Sequence, residues 1–212
     1  MAKAKNLIDD LVPPVFDGFP KEAFAFLRKL KKNNDRDWFN DNKDKYIANV
    51  KEPMESLLAT LYPRMKTLLE DIEIDPKKSM YRIYRDVRFS KDKSPYKTHA
   101  GASFTVAGRD RKYDPGYYFH IAPTEVIIAG GAYHPPADQL KRMRIALADD
   151  HKEFRKLLKR KAFLDRFGEI HGDSLTRLPR DFDAGHPAED LLKRKAFYCW
   201  AELKPEDAMS EN

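Results

Sequence analysis

The chain has 212 residues, 40 Lys/Arg against 34 Asp/Glu for a formal charge of +6, and 42% apolar residues. That length is enough to bury a substantial core in one domain, and the 35% charged fraction is high for a globular protein. The lone cysteine, Cys199, excludes an internal disulfide and offers no thiol pair for redox or zinc chemistry, so a reducing cytoplasm is the expected compartment.

Residues 1–18 read as an N-terminal extension, 19–204 as a single α+β domain and 205–212 as a polar C-terminal tail. The first residues carry no continuous apolar run of the secretory kind. Asp17-Gly18-Phe19-Pro20 is a turn leading into a helix with Phe24, Leu27 and Leu30 on one face. Asn34 or Asp35 caps a second helix carrying Trp38, Phe39, Tyr46 and Val50. A third begins after Pro53, where Met54, Leu57, Leu58, Leu61, Met65, Leu68 and Leu69 follow the amphipathic spacing, with a kink expected at Pro63.

From Ser79 the period moves toward two. Gly101 to Val106, Gly116 to Ile121 and Val126 to Gly131 read as strands joined by the turn-like Gly108 to Arg111 and Pro123-Thr124, which makes an antiparallel meander. Side-chain parity puts Ala102, Phe104, Val106, Tyr117, Phe119, Ile121, Val126 and Ile128 on a core face. Gly101, Ser103, Thr105, Tyr118, His120, Ile127, Ala129 and Gly131 fall on the other face, which reads as a shallow floor for a ligand or as the water-facing side of an amphipathic sheet. The stretch from Gly116 to Ala132 is broken by Pro123 and Glu125 and cannot span a membrane, so no membrane partner is expected.

Past Pro136 helical spacing returns at Leu140, Met143 and Leu147, at Phe154, Leu157 and Leu158, and at Phe163 and Phe167. Gly168 to Ala184 is irregular. Pro187 starts a helix ending near Lys195, and Phe197 to Trp200 reads as a final strand joining the sheet. The expected fold is therefore α+β, an antiparallel meander covered on one face by N-terminal and C-terminal helices.

The charge is unevenly placed. Between Lys77 and Lys112 stand 11 Lys/Arg and 3 Asp, a local balance of +8, which leaves the rest of the chain at −2. Cations alternate there with Tyr81, Tyr84, Phe89 and Tyr96, a pattern that belongs to a folded surface attracting an anion. Arg82, Arg85 and Arg88 recur every three residues, and convergence of their planar guanidiniums would clamp an oxyanion, with Lys91, Lys93 and Lys97 nearby and Tyr118 on the floor. The structural alternative is that Arg82 or Arg85 holds Asp86 or Asp92 in an ion pair. Asp86 and His120 are the acid/base candidates, since His120 is expected across from Gly101, just past His99 at the end of the basic run. His120 and His134 lie roughly 23 Å apart along their strand at ~3.3 Å per residue, so no metal site is expected from that pair. Cofactor needs and oligomeric state are unknown at this level. Arg180 and His186 are further polar candidates that the sequence does not place.

The run from Arg82 to His99, with Asp37-Trp38-Phe39, Gly116 to His120, Gly130 to Pro135 and Phe182 to Pro187, resembles a mainly bacterial family catalogued as domain of unknown function twenty-four sixty-one. The resemblance spans about Phe19 to Leu203 and implies a single domain that most often stands alone. It points to Tyr84, Arg85, Asp86, Arg88, Phe89, Lys91, Asp92, Lys93, Pro95, Tyr96 and Lys97 as the functional cluster, with no activity, cofactor or catalytic residue to carry over.

Three functional expectations follow from the charge pattern. The first is binding of a phosphate-bearing or other anionic small molecule at the basic loop, a nucleotide being one candidate, with acid/base turnover undecided. The second is a nucleic-acid-binding module that stacks bases on the interleaved aromatics. The third is a structural role in which the basic loop docks on the acidic surface of a partner.

Overall fold

The computed structural model describes residues 16–209 apart from 69, 70, 74, 107, 108, 111 and 112, and only the backbone at 68, 72, 73, 76 and 77. Most of the expected N-terminal extension and Leu69 of the third helix thus lie outside the described residues, as do Arg111 and Lys112 of the basic segment.

Helix α1 (Lys21–Lys32) buries Phe24, Leu27 and Leu30 completely on one face. Asp35 caps α2 (Arg36–Asp41), its Oδ1 accepting from the Trp38 N–H at 2.8 Å. The second expected helix does not run on: it breaks at Asn42, and α3 (Lys43–Tyr46) passes through a π-helical turn at Ile47–Lys51 into α4 (Glu52–Leu68). Tyr46, Val50, Met54 and Leu58 are all buried at four-residue spacing. In an unbroken helix of 3.6 residues per turn that spacing drifts around the axis, and the wider turn absorbs part of the drift. Pro63 lies within α4.

After β1 (Ile72–Glu73) and α5 (Pro76–Ser79) come β2 (Ala100–Val106), β3 (Gly116–Ile121) and β4 (Val126–Ala132), within one residue of the expected strands. Helices α6 (Ala137–Asp149), α7 (Lys152–Leu158) and α8 (Lys161–Phe167) follow the three expected apolar groups. The last expected helix is much shorter, α9 (Glu189–Leu192), because the backbone beyond it is taken up in sheet-like bonds, Lys195 N–H to Asp173 C=O at 2.7 Å among them. Strand β5 (Phe197–Leu203) joins the sheet, whose order is β1-β2-β3-β4-β5, with β1 to β4 an antiparallel meander. Ile72 pairs with Val106 and Glu73 with Thr105.

The contacts group the described residues into two compact units, one from within 1–107, 119–127 and 202–212, the other from within 108–118 and 128–201. In the first, the α1 to α4 layer packs on Ala102, Phe104, Ile121 and Val126. Residues 205–209, set apart in the sequence as a polar tail, bury Pro205 and return to Phe19, whose N–H donates to Ala208 C=O at 2.8 Å. In the second, Leu147, Ile170, Ala188, Leu191, Leu192 and Phe197 form a separate core.

Two expectations about the sheet faces need correction. Tyr117 and Ile128, assigned to the core face, are 40% and 39% exposed, whereas Ile121 and Val126 of the same face are completely buried in the core of the first unit, of which Tyr117 and Ile128 are not part. The opposite face is not an open floor at β2: Ser103 and Thr105 are 6% and 7% exposed, and the Tyr81 hydroxyl lies 2.7 Å from Ser103 Oγ.

Candidate functional site

The basic segment folds as two antiparallel arms and a tip. Met80 bridges to Ala102 and Tyr84 to Tyr96. Arg85 N–H donates to Pro95 C=O at 2.9 Å, Lys97 N–H to Ile83 C=O at 2.8 Å and Tyr81 N–H to Gly101 C=O at 2.9 Å. Between the two bridges the first arm advances four residues and the second six. The surplus falls where the chain bends at Thr98 and His99, and such bulges re-aim side chains. The base of the tip is anchored to the helical layer. Tyr96 stacks on Phe39 with centroids 4.1 Å apart, and Asn34 bonds both backbone groups of Tyr96 at 3.0 Å.

The tip pairs two of its four cations with its own acids. Arg85 ion-pairs with Asp92 and also reaches Ser94 C=O at 3.3 Å. Arg88 grips Asp86 in a two-point pair, Nε to Oδ1 at 3.0 Å and Nη2 to Oδ2 at 2.7 Å. These bonds hold the Asp86 carboxyl at about 2, chiefly through Arg88. Asp92 is also held at about 2, first by hydrogen bonds from Ser94 and then by Arg85. Lys93 Nζ donates to Val87 C=O at 3.0 Å, while Lys91 is exposed. A clamp of all three arginines is therefore not what this loop builds, because a short tip places an acid beside two of them. The aromatics are engaged in part: Tyr96 is 3% exposed, Tyr84 packs against it with centroids 5.3 Å apart while remaining 50% exposed, and Phe89 is 96% exposed.

A different grouping forms on the two arms. Arg82 is exposed and its side chain has no ion pair or hydrogen bond among the described residues. Its positive charge, after burial, pushes the Lys97 ammonium below the ordinary lysine range. Lys97 Nζ sits over the Tyr81 ring, 5.1 Å from its centroid. Beyond the bend, the His99 imidazole lies 5.1 Å from that of His120, centroid to centroid. His99 is held down at about 4, first by burial and then by the charges of His120 and Lys97, with Glu125 opposing. His120, its side chain 14% exposed, is also lowered by burial, and Glu125 Oε1 lies 3.6 Å from its Nε2. At neutral pH this strip therefore carries two cations beside two uncharged imidazoles able to accept protons.

Of the site residues expected from sequence, Arg82, Lys97 and His120 thus belong to one strip, joined through His99. Arg85, Asp86, Arg88, Lys91 and Lys93 stay in the tip, and Tyr118 is half-buried two residues before His120 on β3. The reading took Glu125 only as a break in an apolar stretch and not as a site residue, although it stands at the β3–β4 hairpin, where Ala122 N–H donates to its C=O at 2.8 Å. His186 and Arg180 lie in the second unit, where His186 Nδ1 accepts from the Ala188 N–H at 3.0 Å. Among the described residues no group of three or more His, Cys, Asp or Glu side chains is placed to hold a metal ion, and no helix is long and apolar enough to cross a membrane.

An α+β architecture with a basic two-armed segment beside an antiparallel sheet defines the class of this protein. The chain belongs to the family described as Conserved hypothetical protein (DUF2461), which it matches over residues 22–212. No curated protein matches it.

Proposed function

We propose that the strip made by Arg82, Lys97, His99 and His120 binds a small anionic ligand bearing a phosphate or comparable oxyanion. The observation that carries this reading is that half-buried Lys97 lies over the Tyr81 ring within reach of the like charge of Arg82 and beside His99 and His120, while the nearby acids Asp86 and Asp92 are hydrogen-bonded to Arg88 and Arg85. Like charges held together at a partly buried position cost free energy that an arriving anion relieves. The guanidinium of Arg82 supplies a two-point contact and Lys97 a point charge. His120 is the group suited to proton transfer, because it is uncharged at neutral pH and has Glu125 at one ring nitrogen and His99 at its face. Asp86 is poorly suited, since a carboxylate held at about 2 is a weak base.

Calorimetric titration of the full chain with inorganic phosphate, pyrophosphate and a nucleoside triphosphate tests this. At least one of these anions should bind, and Arg82→Ala and Lys97→Ala should each weaken it about tenfold or more, the usual effect of losing one charge-assisted contact of ~1.5–3 kcal/mol. Failure of all three to bind, or unchanged affinity in both variants, refutes the reading.

A further inference from the structure

In the second unit, α7 and the two residues that follow it form a groove of about 500 Å³ lined by Lys152, Arg155, Lys156, Lys159 and Arg160. The spacing explains the convergence. Residues 152, 155, 156 and 159 fall within about a third of a turn on a helix of 3.6 residues per turn. Phe154 and Leu158 occupy the other side and pack on the core of this unit, Phe154 meeting Phe197 edge-on at 6.2 Å. The apolar stripe therefore fixes the helix and turns its cations outward.

Only part of this charge is answered. Arg155 is tied to Asp190 at 2.5 Å and to Pro187 C=O at 3.0 Å, and Lys156 approaches Glu153 at 3.7 Å. Lys152, Lys159 and Arg160 have no ion pair among the described residues. From His151 to Arg166 the chain places seven Lys/Arg against Glu153 and Asp165. Like charges at i, i+4 destabilise a helix, and these lysines bury no core surface that offsets the cost.

We infer that this groove binds the phosphodiester backbone of a nucleic acid. Its chemistry favours that occupant over others. A groove lined by Lys and Arg without an aromatic residue contacts phosphates and does not read bases. A protein partner is disfavoured because the centres of protein interfaces are depleted in lysine. From 152 to 160 the cations extend ~12 Å at 1.5 Å per residue, the reach of a backbone segment and more than a single compact phosphate requires.

The test is fluorescence anisotropy of the full chain with a short labelled DNA duplex and with a single-stranded RNA of equal length, across a salt series. Binding should weaken with salt, with a log–log slope of about −3 for three phosphates neutralised. The triple variant Lys152→Glu, Lys159→Glu, Arg160→Glu, its fold checked by circular dichroism, should lose about three units of that slope, and the neutral triple Lys→Gln, Lys→Gln, Arg→Gln should lose a similar amount. The control Arg142→Glu, at an exposed cation of α6 already paired with Asp138, should bind as the parent does, which separates this groove from the general positive charge of the chain. Absence of binding at low salt, retention of binding by both triple variants, or binding only to phosphatidylserine vesicles overturns the inference.

Discussion

Asn34 and Tyr96 are joined by a reciprocal pair of hydrogen bonds: the Asn34 side-chain amide donates to Tyr96 C=O and its oxygen accepts from Tyr96 N–H, both at 3.0 Å. An asparagine 62 residues away thereby completes an arm of the basic segment as a neighbouring strand would. Asn34→Ala leaves both backbone groups without these partners and should cost about 1–3 kcal/mol in urea-unfolding free energy, with Asn34→Asp intermediate because it keeps the acceptor and loses the donor. A loss below a few tenths for the alanine variant would show that the arm is held by the Phe39 stack alone.

Stability should fall in mild acid. His99 titrates at about 4 in the folded chain against an ordinary 6.5, so between those values the unfolded chain binds a proton that the folded chain refuses. The contribution is intact above 6.5 and is lost as pH drops toward 4, with His120 acting in the same sense. Asp86 and Asp92 add a separate loss only below their ordinary 3.8, toward about 2. Melting temperature measured across pH should decline less steeply between 6.5 and 4 in His99→Gln than in the parent. Equal slopes would contradict the burial argument.

Gly131 and Gly185 should respond differently to alanine. Both have positive φ, +125° and +82°. A Cβ at Gly131 would stand 2.2 Å from Phe197 C=O and 2.7 Å from Tyr198 Cα, whereas none of the surrounding atoms lies within 4 Å at Gly185. Gly185→Ala should cost about 1–2 kcal/mol, the backbone term alone. Gly131→Ala should cost at least about 3 kcal/mol because β4 and β5 must also part. Chemical denaturation of the two variants checks the ranking.

Arg88→Ala should leave anion affinity unchanged under conditions where Arg82→Ala lowers it. Arg88 is 76% exposed and already spends its guanidinium on Asp86. Titration calorimetry with the anion that binds best decides this, and equal losses in the two variants would move the site to the tip.

Strands β2 to β4 and helices α1 and α6 to α8 are legible in the sequence because period-two and 3.6-residue patterns survive there without interruption. The π turn is not, since four-residue spacing over Tyr46 to Leu58 looks like an ordinary amphipathic helix until the drift is counted. The shortness of α9 is hidden for another reason: His171, Ser174 and Lys195 claim backbone partners that only the tertiary fold supplies. At the site, the approach of His120 to the end of the basic run follows from hairpin register. The pairing of Arg85 with Asp92 and of Arg88 with Asp86 depends on how a short tip turns, which residue spacing does not encode.

The unequal arms around Thr98 and His99 bear on which insertions and deletions this chain can accept. Lengthening the tip between Asp86 and Ser94 alters only a loop already closed by Arg85 and Pro95, and doubling such a loop costs only about 0.6 kcal/mol. Removing a single residue between Lys97 and Gly101 would invert the alternation on one arm, carrying the imidazole of His99 away from His120 while leaving the aromatic anchor intact. Length variation in that short stretch is thus a direct route by which the strip could be dismantled in an otherwise well-folded molecule.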